Sequence, residues 1–189
     1  DYAVHGEGEE VMLAMCERLS ADRDFRDLNG VAFFDGEQIR INTADRIRDL
    51  NDLADPSWEG LDIGDYTDKR SGEIDLSVHF NRACRYSCGF CSTATVYGSG
   101  VSNFTPERSA DHIENILAKF NPAVITFTDE DFFAHMKWVQ ELVELMERRD
   151  FHGRFGAKFD TFASIPDLVR IADKGLGGLL DQMKPIGFN

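Results

Sequence analysis

The sequence lacks any long apolar run and has few basic side chains. No stretch approaches the roughly 18 apolar residues that a membrane-spanning helix needs, and no basic segment followed by an apolar one marks a secretory signal. Its 20 Lys and Arg residues are outnumbered by 34 Asp and Glu, for a formal net charge of −14. Because neutralisation of phosphates drives nucleic-acid binding, this balance argues against such a partner. We therefore predict a cytoplasmic protein with no membrane and no nucleic-acid partner.

Cysteine is also scarce, and its distribution is uneven. The chain has four cysteines, of which Cys84, Cys88 and Cys91 lie within the stretch NRACRYSCGFCSTATVYG. A disulfide framework spreads its cysteines through a secreted chain, so this clustering favours a metal site in a reducing compartment. The remaining one, Cys16, falls on the apolar face of a predicted helix, and we predict that it packs there.

A change of pattern near residue 73 divides the chain. Residues 1–44 contain a strand end, the helix that carries Cys16 and a hairpin around Asp35 and Gly36, and residues 45–72 form an Asp-rich connector. In residues 73–189, predicted strands at 74–80, 123–128, 154–159 and 178–183 alternate with predicted helices at 105–120, 132–146 and 164–175. This alternation predicts an α/β fold with parallel crossovers, either part of a barrel or an open sheet.

Two polar segments directly follow predicted strands. The cysteine loop comes after the first strand and TDEDF comes after the second, and ligands of parallel α/β folds bind where strands end. We therefore expect Asp129 and Asp131 near the cysteines, as candidates for binding a cofactor or substrate. The alternative is that Asp131 caps the next helix and Glu130 stabilises its positive end.

The spacing Cys84-x3-Cys88-x2-Cys91 places three thiolates on one short loop. They can bind three irons of an iron–sulfur cube and leave the fourth iron open for chemistry. A closed zinc site with His79 as fourth ligand is a structural competitor, and a non-catalytic iron–sulfur module is another. Zinc is disfavoured because His79 lies inside a strand pattern and no second pair of ligands is present.

CRYSCGFC, with Phe90 before the third cysteine, resembles the CxxxCxΦC motif of radical S-adenosylmethionine enzymes. GEGEE, SVHFNRACRYSCGFC, PERSADHI and ITFTDEDFF also follow the order seen in the cobalamin-binding radical enzymes. The resemblance implies that residues 73–189 are part of a (βα)6 barrel, with the tail of a cobalamin-binding domain in 1–44 and a connector in 45–72. It also implies a fragment, because the cobalamin-ligating DxHxxG motif and the later barrel units are missing.

The resemblance further implies cofactors and a reaction. The three clustered cysteines would hold a [4Fe–4S] cluster whose open iron binds S-adenosylmethionine, and the segment around Phe90 would contact the adenine. One electron, supplied by a donor such as a ferredoxin or flavodoxin, would cleave this cofactor to methionine and a 5′-deoxyadenosyl radical, which abstracts hydrogen from a small-molecule or peptide substrate.

Two further predictions concern the loop after the cysteines and the reaction of the full-length protein. Tyr97 and Gly98 extend the loop, where glycine permits close approach to a ligand, and a flexible loop without a ligand is the alternative. We expect the full-length parent to catalyse cobalamin-linked methyl transfer or a related radical rearrangement. A methylthiotransferase-like radical enzyme without cobalamin is the alternative, and the sequence assigns no catalytic residue.

Overall fold

An antiparallel sheet and one helix make up the N-terminal part of the chain. The structure, a computed structural model, describes residues 1–47, 49–98 and 100–189; residue 48 of the predicted connector and residue 99 lie outside this part. The elements are β1 (Tyr2–Val4), α1 (Glu9–Ser20), β2 (Val31–Asp35) and β3 (Gln38–Ile41), with sheet order β1-β2-β3. The predicted hairpin is confirmed, since Asp35 pairs with Gln38 and Gly36 takes the positive φ of 66° that a tight turn requires.

The segment that follows β3 contains two short 3₁₀ turns, Leu50–Asp52 and Ile63–Tyr66. Each turn is preceded by an aspartate whose side chain accepts a backbone hydrogen bond, Asp49 from Asn51 and Asp62 from Gly64. Carboxylates of this kind satisfy the free amides at the start of a helical turn. No helix in the described ranges is both long enough and apolar enough to cross a bilayer.

A parallel three-stranded sheet lies at the centre of residues 73–189. The elements of this part are β4 (Asp75–Val78), β5 (Asn81–Arg82), α2 (Thr93–Tyr97), β6 (Ser102–Asn103), α3 (Pro106–Phe120), β7 (Val124–Phe127), α4 (Met136–Arg148), α5 (Phe151–Phe155), β8 (Lys158–Thr161), α6 (Ile165–Asp173) and α7 (Gly177–Met183). The sheet order is β4-β7-β8, and both pairs are parallel. The α/β prediction is therefore confirmed.

The core of this part is rich in phenylalanine. Phe127 of β7 makes ring contacts with Phe80, Phe132, Phe159 and Phe188, at centroid distances from 5.4 to 5.9 Å. Alternate residues of the strands face α3 and α4, whose buried side chains close the other side of the layer. Burial of one such ring is worth about 3 kcal/mol, so this cluster holds the sheet and helices together.

Two helix starts were correctly predicted because each has a local signal. The Thr105 side chain accepts a hydrogen bond from the Arg108 amide, and Pro106 occupies the first turn of α3. At α6, Ser164 and Asp167 form a capping box in which each side chain accepts from the backbone of the other. These bonds satisfy amides that a helix leaves free at its start.

Four other predictions were wrong or displaced. The predicted fourth strand at 178–183 is helix α7, and the predicted strand at 154–159 is displaced, because its first residues belong to α5 and β8 starts at Lys158. The helix expected from residue 132 starts at Met136. Short apolar runs do not distinguish a buried strand from a buried helix, which explains the strand errors. Cys16 is exposed, whereas its helix neighbour Met15 is partly buried, so the prediction that Cys16 packs against the core is wrong.

Candidate functional site

The cysteine loop leaves the sheet through a narrow two-stranded ladder. β5 pairs with β6 in antiparallel register, Asn81 with Asn103 and Arg82 with Ser102, so residues 83–101 form an excursion closed at its base. Ala83, the first residue of this excursion, is fully buried and has a left-handed φ of 69°. This conformation is unfavourable for a residue with a Cβ atom, and the surrounding ladder holds it in place. The chain thereby turns sharply immediately before Cys84.

The three thiols of this excursion are free, and they differ in environment. Cys84 is partly buried, whereas Cys88 and Cys91 are exposed. Burial raises the pKa of the Cys84 thiol. Hydrogen bonding with Thr93, whose hydroxyl oxygen lies 3.2 Å from the Cys91 sulfur, lowers the pKa of Cys91. Cys91 is therefore more readily available as a thiolate, the form that ligates metals.

An ion-pair network fixes the start of the loop to the two neighbouring strand ends. Arg85 donates from Nε and Nη2 to the two carboxylate oxygens of Asp131, at 2.7 and 2.8 Å, and it also pairs with Asp167. The side chain of Asp131 is 1% exposed and that of Asp167 is 4% exposed, so these pairs are shielded from water. The hydrogen bond with Asp131 raises the pKa of Arg85, which stays protonated. The network joins segments that follow β4, β7 and β8.

The alternative interpretation, in which Asp131 caps the next helix, is therefore wrong. His135 occupies the N-cap position of α4, and its side chain makes no capping hydrogen bond. The Asp131 carboxylate points instead to the cysteine loop, where its Oδ2 also lies 3.9 Å from the Cys84 sulfur. Asp167 has two roles, because its carboxylate completes the capping box with Ser164 and also pairs with Arg85.

Asp129 holds the junction between β4 and the loop. Its Oδ1 accepts from the backbone amides of Phe80 and Asn81 at 2.7 and 2.6 Å, and its Oδ2 has no hydrogen-bond partner. Burial raises the pKa of Asp129 to about 7, although the two amides act in the opposite direction. The side-chain amide of Asn81 also donates to the Asp131 carbonyl at 3.0 Å. The segments that follow β4 and β7 are thus joined by hydrogen bonds between side chains of one and backbone groups of the other.

The other predicted cofactor-binding residues lie on the outer part of the excursion. Phe90 is 94% exposed, so its ring makes no packing contact that would prevent a ligand from stacking on it. Tyr97, at the end of α2, is half-buried, and burial raises its pKa. Gly98 has a φ of 71°, and a Cβ atom there would meet nothing within 4 Å. The structure therefore places these three residues along one loop.

A buried ion pair connects the loop base to the N-terminal part. Arg82 donates to Glu7 Oε1 at 3.0 Å and also pairs with Glu9, and the side chains of Arg82 and Glu7 are 9% and 2% exposed. The second oxygen of Glu7 accepts from the Ile47 amide at 2.7 Å. The GEGEE segment is thus held against the strand that leads into the cysteines.

The sequence did not predict a role at this site for Arg82, Arg85 or Asp167. Each of them pairs with a residue that is far away along the chain. The Ser164 capping signal located Asp167, but as a helix-capping residue alone. An arginine beside a cysteine ligand carries no spacing pattern of its own, so only the fold reveals its partners. Asp129 and Asp131, which were selected for their position at the end of a strand, are both buried after β7.

The three thiols of the excursion are the donor set that an iron–sulfur cluster uses. Within the described ranges, no group of three or more His, Cys, Asp or Glu side chains is placed to hold one ion. A closed zinc site requires four ligands around the same ion. In an iron–sulfur cluster each of three thiolates would bind a different iron, and Cys88 and Cys91 are exposed on the outer loop.

The comparisons with known proteins identify relatives of one kind. No family model matches the chain. The anaerobic magnesium-protoporphyrin IX monomethyl ester cyclase of Cereibacter sphaeroides is 29% identical over 154 residues, which cover 79% of this chain and 25% of that protein. The cobalamin-dependent radical SAM methyltransferase TokK of Streptomyces tokunonensis is 30% identical over 118 residues, covering 60% of this chain and 17% of that protein.

Solved structures of similar fold come from related enzymes. The radical S-adenosylmethionine methyltransferase TsrM from Kitasatospora setae, solved with tryptophan substrate and a SAM analogue, has a TM-score of 0.73, with 16% identity over 100% of this chain and 36% of that one. OxsB, a cobalamin-dependent S-adenosylmethionine radical enzyme solved with both cofactors, has a TM-score of 0.68, with 20% identity over 84% of this chain and 22% of that one.

The chain spans 25% and 30% of the length of two cyclases and 17% of the length of TokK. The names of the matched proteins include radical S-adenosylmethionine methyltransferases and a cyclase. The cysteine motif of this chain, its position after β4 and the α/β fold are consistent with that similarity. The chain is therefore similar in sequence to radical S-adenosylmethionine enzymes, among them a cobalamin-dependent methyltransferase, and it shares their fold.

Proposed function

We propose that the chain is the cluster-binding part of a radical S-adenosylmethionine enzyme, in which Cys84, Cys88 and Cys91 hold a [4Fe–4S] cluster. The observation that carries the proposal is the set of three free thiols on one excursion, at the C-terminal end of the first parallel strand. When bound, the cluster and S-adenosylmethionine supply a 5′-deoxyadenosyl radical for hydrogen abstraction. The protein supplies the position and the surroundings of this chemistry.

The residues around the loop would act by holding its base rigid. Arg85 follows Cys84 in the chain and pairs with Asp131 and Asp167. These ion pairs would hold the start of the cysteine loop next to the ends of β7 and β8. Asp129 holds the Phe80 and Asn81 amides, so the loop leaves β4 in one direction. Groups held in place before a ligand binds need less ordering when it does, which favours binding.

Phe90, Tyr97 and Gly98 would form the part of the site that meets S-adenosylmethionine. The exposed ring of Phe90 is free to pack beside the adenine, and Gly98 permits close backbone approach. Both carboxylate oxygens of Asp131 accept hydrogen bonds from Arg85, so Asp131 would position the loop. Asp129 keeps one oxygen without a partner, and this oxygen is our candidate to accept from the amino group of the cofactor.

The whole protein would be larger, with the chain contributing its central part. Residues 73–189 would be the first units of a (βα)6 barrel, supported by the parallel order β4-β7-β8 and by the parallel bridge from Phe159 to Phe188, where a further strand would begin. Residues 1–44 would be the end of a cobalamin-binding domain, and residues 45–72 the connector. We propose cobalamin-linked methyl transfer or a radical rearrangement on a small-molecule or peptide substrate, with a ferredoxin or flavodoxin as electron donor.

Anaerobic reconstitution tests this proposal directly. The chain is supplied with iron and sulfide, and iron content and iron–sulfur absorbance are measured before reduction in the presence of S-adenosylmethionine. We expect about four irons per chain and release of 5′-deoxyadenosine. Cys88→Ala should lose the cluster, because it removes one of the three thiolates.

Cys16→Ala is the matched control, since Cys16 is the fourth cysteine, is exposed and lies outside the loop. It should keep the iron content and absorbance of the unaltered chain. Equal loss of the cluster in both variants, or stoichiometric zinc without iron–sulfur absorbance, would contradict the proposal. Iron binding without 5′-deoxyadenosine would support the cluster assignment and count against cleavage of S-adenosylmethionine by this part of the protein alone.

A further inference from the structure

The buried carboxylate of Glu7 contacts two separate parts of the chain. Its Oε1 accepts a hydrogen bond from Arg82 at 3.0 Å, and its Oε2 accepts from the backbone amide of Ile47 at 2.7 Å. Its side chain is 2% exposed, whereas that of Glu9, the second partner of Arg82, is 45% exposed. Glu7 therefore joins the base of the cysteine excursion to the start of the connector, and solvent screens this contact less than the one with Glu9.

The backbone on both sides of Glu7 is fixed by local structure. Gly6 has a φ of 80°, and a Cβ atom at this position would lie only 2.9 Å from the Cβ atom of Ala44. Glycine is the residue that combines a positive φ with so close an approach. On the other side, Gly8 is the N-cap of α1. The Glu7 side chain is thus presented to Arg82 by a turn that is held at both ends.

Arg82 in turn depends on the N-terminal part of the chain for its side-chain partners. Within the described ranges, every hydrogen bond of its guanidinium goes to Glu7 or Glu9, and its Nε has no partner. The Arg82 side chain is 9% exposed, so water does not readily replace these carboxylates. A buried charge that loses its partner is strongly unfavourable, which couples the position of Arg82 to that of Glu7.

The residue between Arg82 and the first thiol has a strained backbone. Ala83 is fully buried and has a φ of 69°, a conformation that persists where the surrounding contacts impose it. Before this residue, the chain is held by Asn81, whose backbone amide donates to Asp129 at 2.6 Å. Directly after it comes Cys84. A movement of Arg82 would therefore act on the strained turn from which the first thiol projects.

We propose that Glu7 is a positioning residue for the cluster, because through Arg82 it holds the turn at Ala83 and thereby fixes Cys84 as a ligand. The inference rests on the proposed function for the cluster itself, and it adds a role for the N-terminal part of the chain. Contacts that orient metal ligands from outside are worth about 10- to 100-fold in metal affinity. The GEGEE segment would thus belong to the cluster site although it contains no ligand.

The rate of cluster loss from the reconstituted chain tests this role. The chain is loaded anaerobically with iron and sulfide, and the decay of iron–sulfur absorbance in excess EDTA is timed. Glu7→Leu should lose the cluster about 10-fold faster than the unaltered chain, because it releases Arg82. Glu10→Leu is the matched control and should decay at the unaltered rate, since Glu10 lies in the same segment, is exposed and forms no ion pair within the described ranges.

Val139→Ala separates this role from a general loss of stability, because it shortens a fully buried side chain of α4. It should lower the melting temperature and leave the electron paramagnetic resonance spectrum of the reduced cluster unchanged. Glu7→Leu should shift the g values of that spectrum, since the properties of a cluster depend on how its ligands are held. Thermal melts of all variants show that each is folded at the temperature of the measurement.

Labelling of the thiols before cluster assembly gives a second readout, which needs no iron. Cys84 is partly buried, whereas Cys88 and Cys91 are exposed, so N-ethylmaleimide should modify Cys84 most slowly in the unaltered chain. Glu7→Leu should raise the labelling rate of Cys84 by about 5-fold, because the base of the excursion opens more often. The rates at the two exposed thiols should not change. Peptide mass mapping measures each rate separately.

Two results would overturn the proposal. One is a Glu7→Leu variant that matches Glu10→Leu in cluster loss and in g values, and the other is an unchanged labelling rate at Cys84. If the unaltered chain takes up no cluster, it is the proposed function that fails, and the labelling rates still decide whether Glu7 holds Cys84. If Glu7→Leu does not fold, the isosteric Glu7→Gln replaces it and should change each rate by at least about 3-fold, since it removes the charge and the acceptor for the Ile47 amide.

Discussion

Helices α1 and α4 both carry apolar residues at helical spacing, but α4 is the more strongly amphipathic and the only one of the two with fully buried residues. Six residues of α4 are buried, whereas α1 has no buried residue, and its Leu13 and Leu19 are 62% and 71% exposed. Periodicity identifies the face that a helix offers to a partner. Burial also requires a partner: α4 packs on α3 and the sheet, while α1 is only partly covered, at Val11 and Met15.

The same difference holds for the two sheets. The parallel sheet β4-β7-β8 lies within a continuous core that runs from Leu76 to Phe188, whereas Ile39 and Ile41 of β3 are 63% and 66% exposed. The strongest link between these regions is not apolar, because it is the buried ion pair of Arg82 with Glu7 and Glu9. The predictions that follow test this contrast, from the largest expected effect to the smallest.

Phe127→Ala should lower the free energy of unfolding by about 4 kcal/mol, because it leaves a cavity among five packed rings. Urea unfolding followed by circular dichroism measures the change. Leu19→Ser in α1 is the control, and we expect a change below about 0.5 kcal/mol, since its side chain is 71% exposed. Similar losses in the two variants would show that α1 is covered in solution.

Arg82→Ala should cost about 3 kcal/mol, because it leaves the buried carboxylate of Glu7 without its partner. Hydrogen exchange should show faster exchange in residues 1–47 than in the parallel sheet, since the link between the two regions is lost. Arg40→Ala removes an exposed ion pair with Asp35 and should leave exchange unchanged. Uniform acceleration across the chain would contradict a role for Arg82 that is specific to the N-terminal part.

Asp129→Asn should remove a pH dependence of stability. The pKa of Asp129 is about 7 in the folded chain and about 3.9 in an unfolded one, so the folded state binds more protons between these values. Its contribution to stability is therefore greatest below about pH 4 and is lost as the pH rises through about 7. Urea unfolding at pH 4.5, 6 and 8 should show this loss in the unaltered chain, on the order of 3 kcal/mol.

The Asn variant should lack most of that dependence, because Asn does not titrate. Asp167→Asn is the comparison, because the pKa of Asp167 is lowered. Burial raises this pKa, but hydrogen bonds with Ser164 and Arg85 lower it by more. Its contribution has the opposite sign, and stability from Asp167 is lost as the pH falls. An identical pH profile for Asp129→Asn and the unaltered chain would refute the raised pKa.

Ser164→Ala should lower stability by about 1 kcal/mol, because it removes the capping box of α6. Gly8→Ala, at the N-cap of α1, should change it by less than about 0.5 kcal/mol, since no side chain caps that helix. Urea unfolding of both variants measures the difference. A larger effect at Gly8 would reverse the contrast between the two regions.

Several parts of the fold followed from local signals in the sequence. Thr105 with Pro106 and Ser164 with Asp167 mark helix starts through bonds that form within four residues, and Gly36 marks the hairpin through its backbone freedom. Helix α7 was mistaken for a strand because its run is short and the local pattern does not reveal what covers it.

The residues of the candidate site divide in the same way. Cys84, Cys88 and Cys91 are neighbours in the chain, so their spacing alone indicates a ligand loop and the family. The pairing of Arg85 with Asp131 and Asp167 joins residues 46 and 82 positions apart. No local pattern specifies such a contact, because it depends on the order of the strands in the sheet.

The sequence by itself determined the thiolate loop, its place after a strand and the alternation that makes an α/β fold, since these depend on neighbouring residues and on periodicity. The tertiary structure decided which charges hold that loop, that Phe90 and Cys16 are exposed, and that Glu7 pairs with Arg82. The physical reason is that burial and ion pairing act between side chains that only the folded backbone brings within a few ångströms of each other.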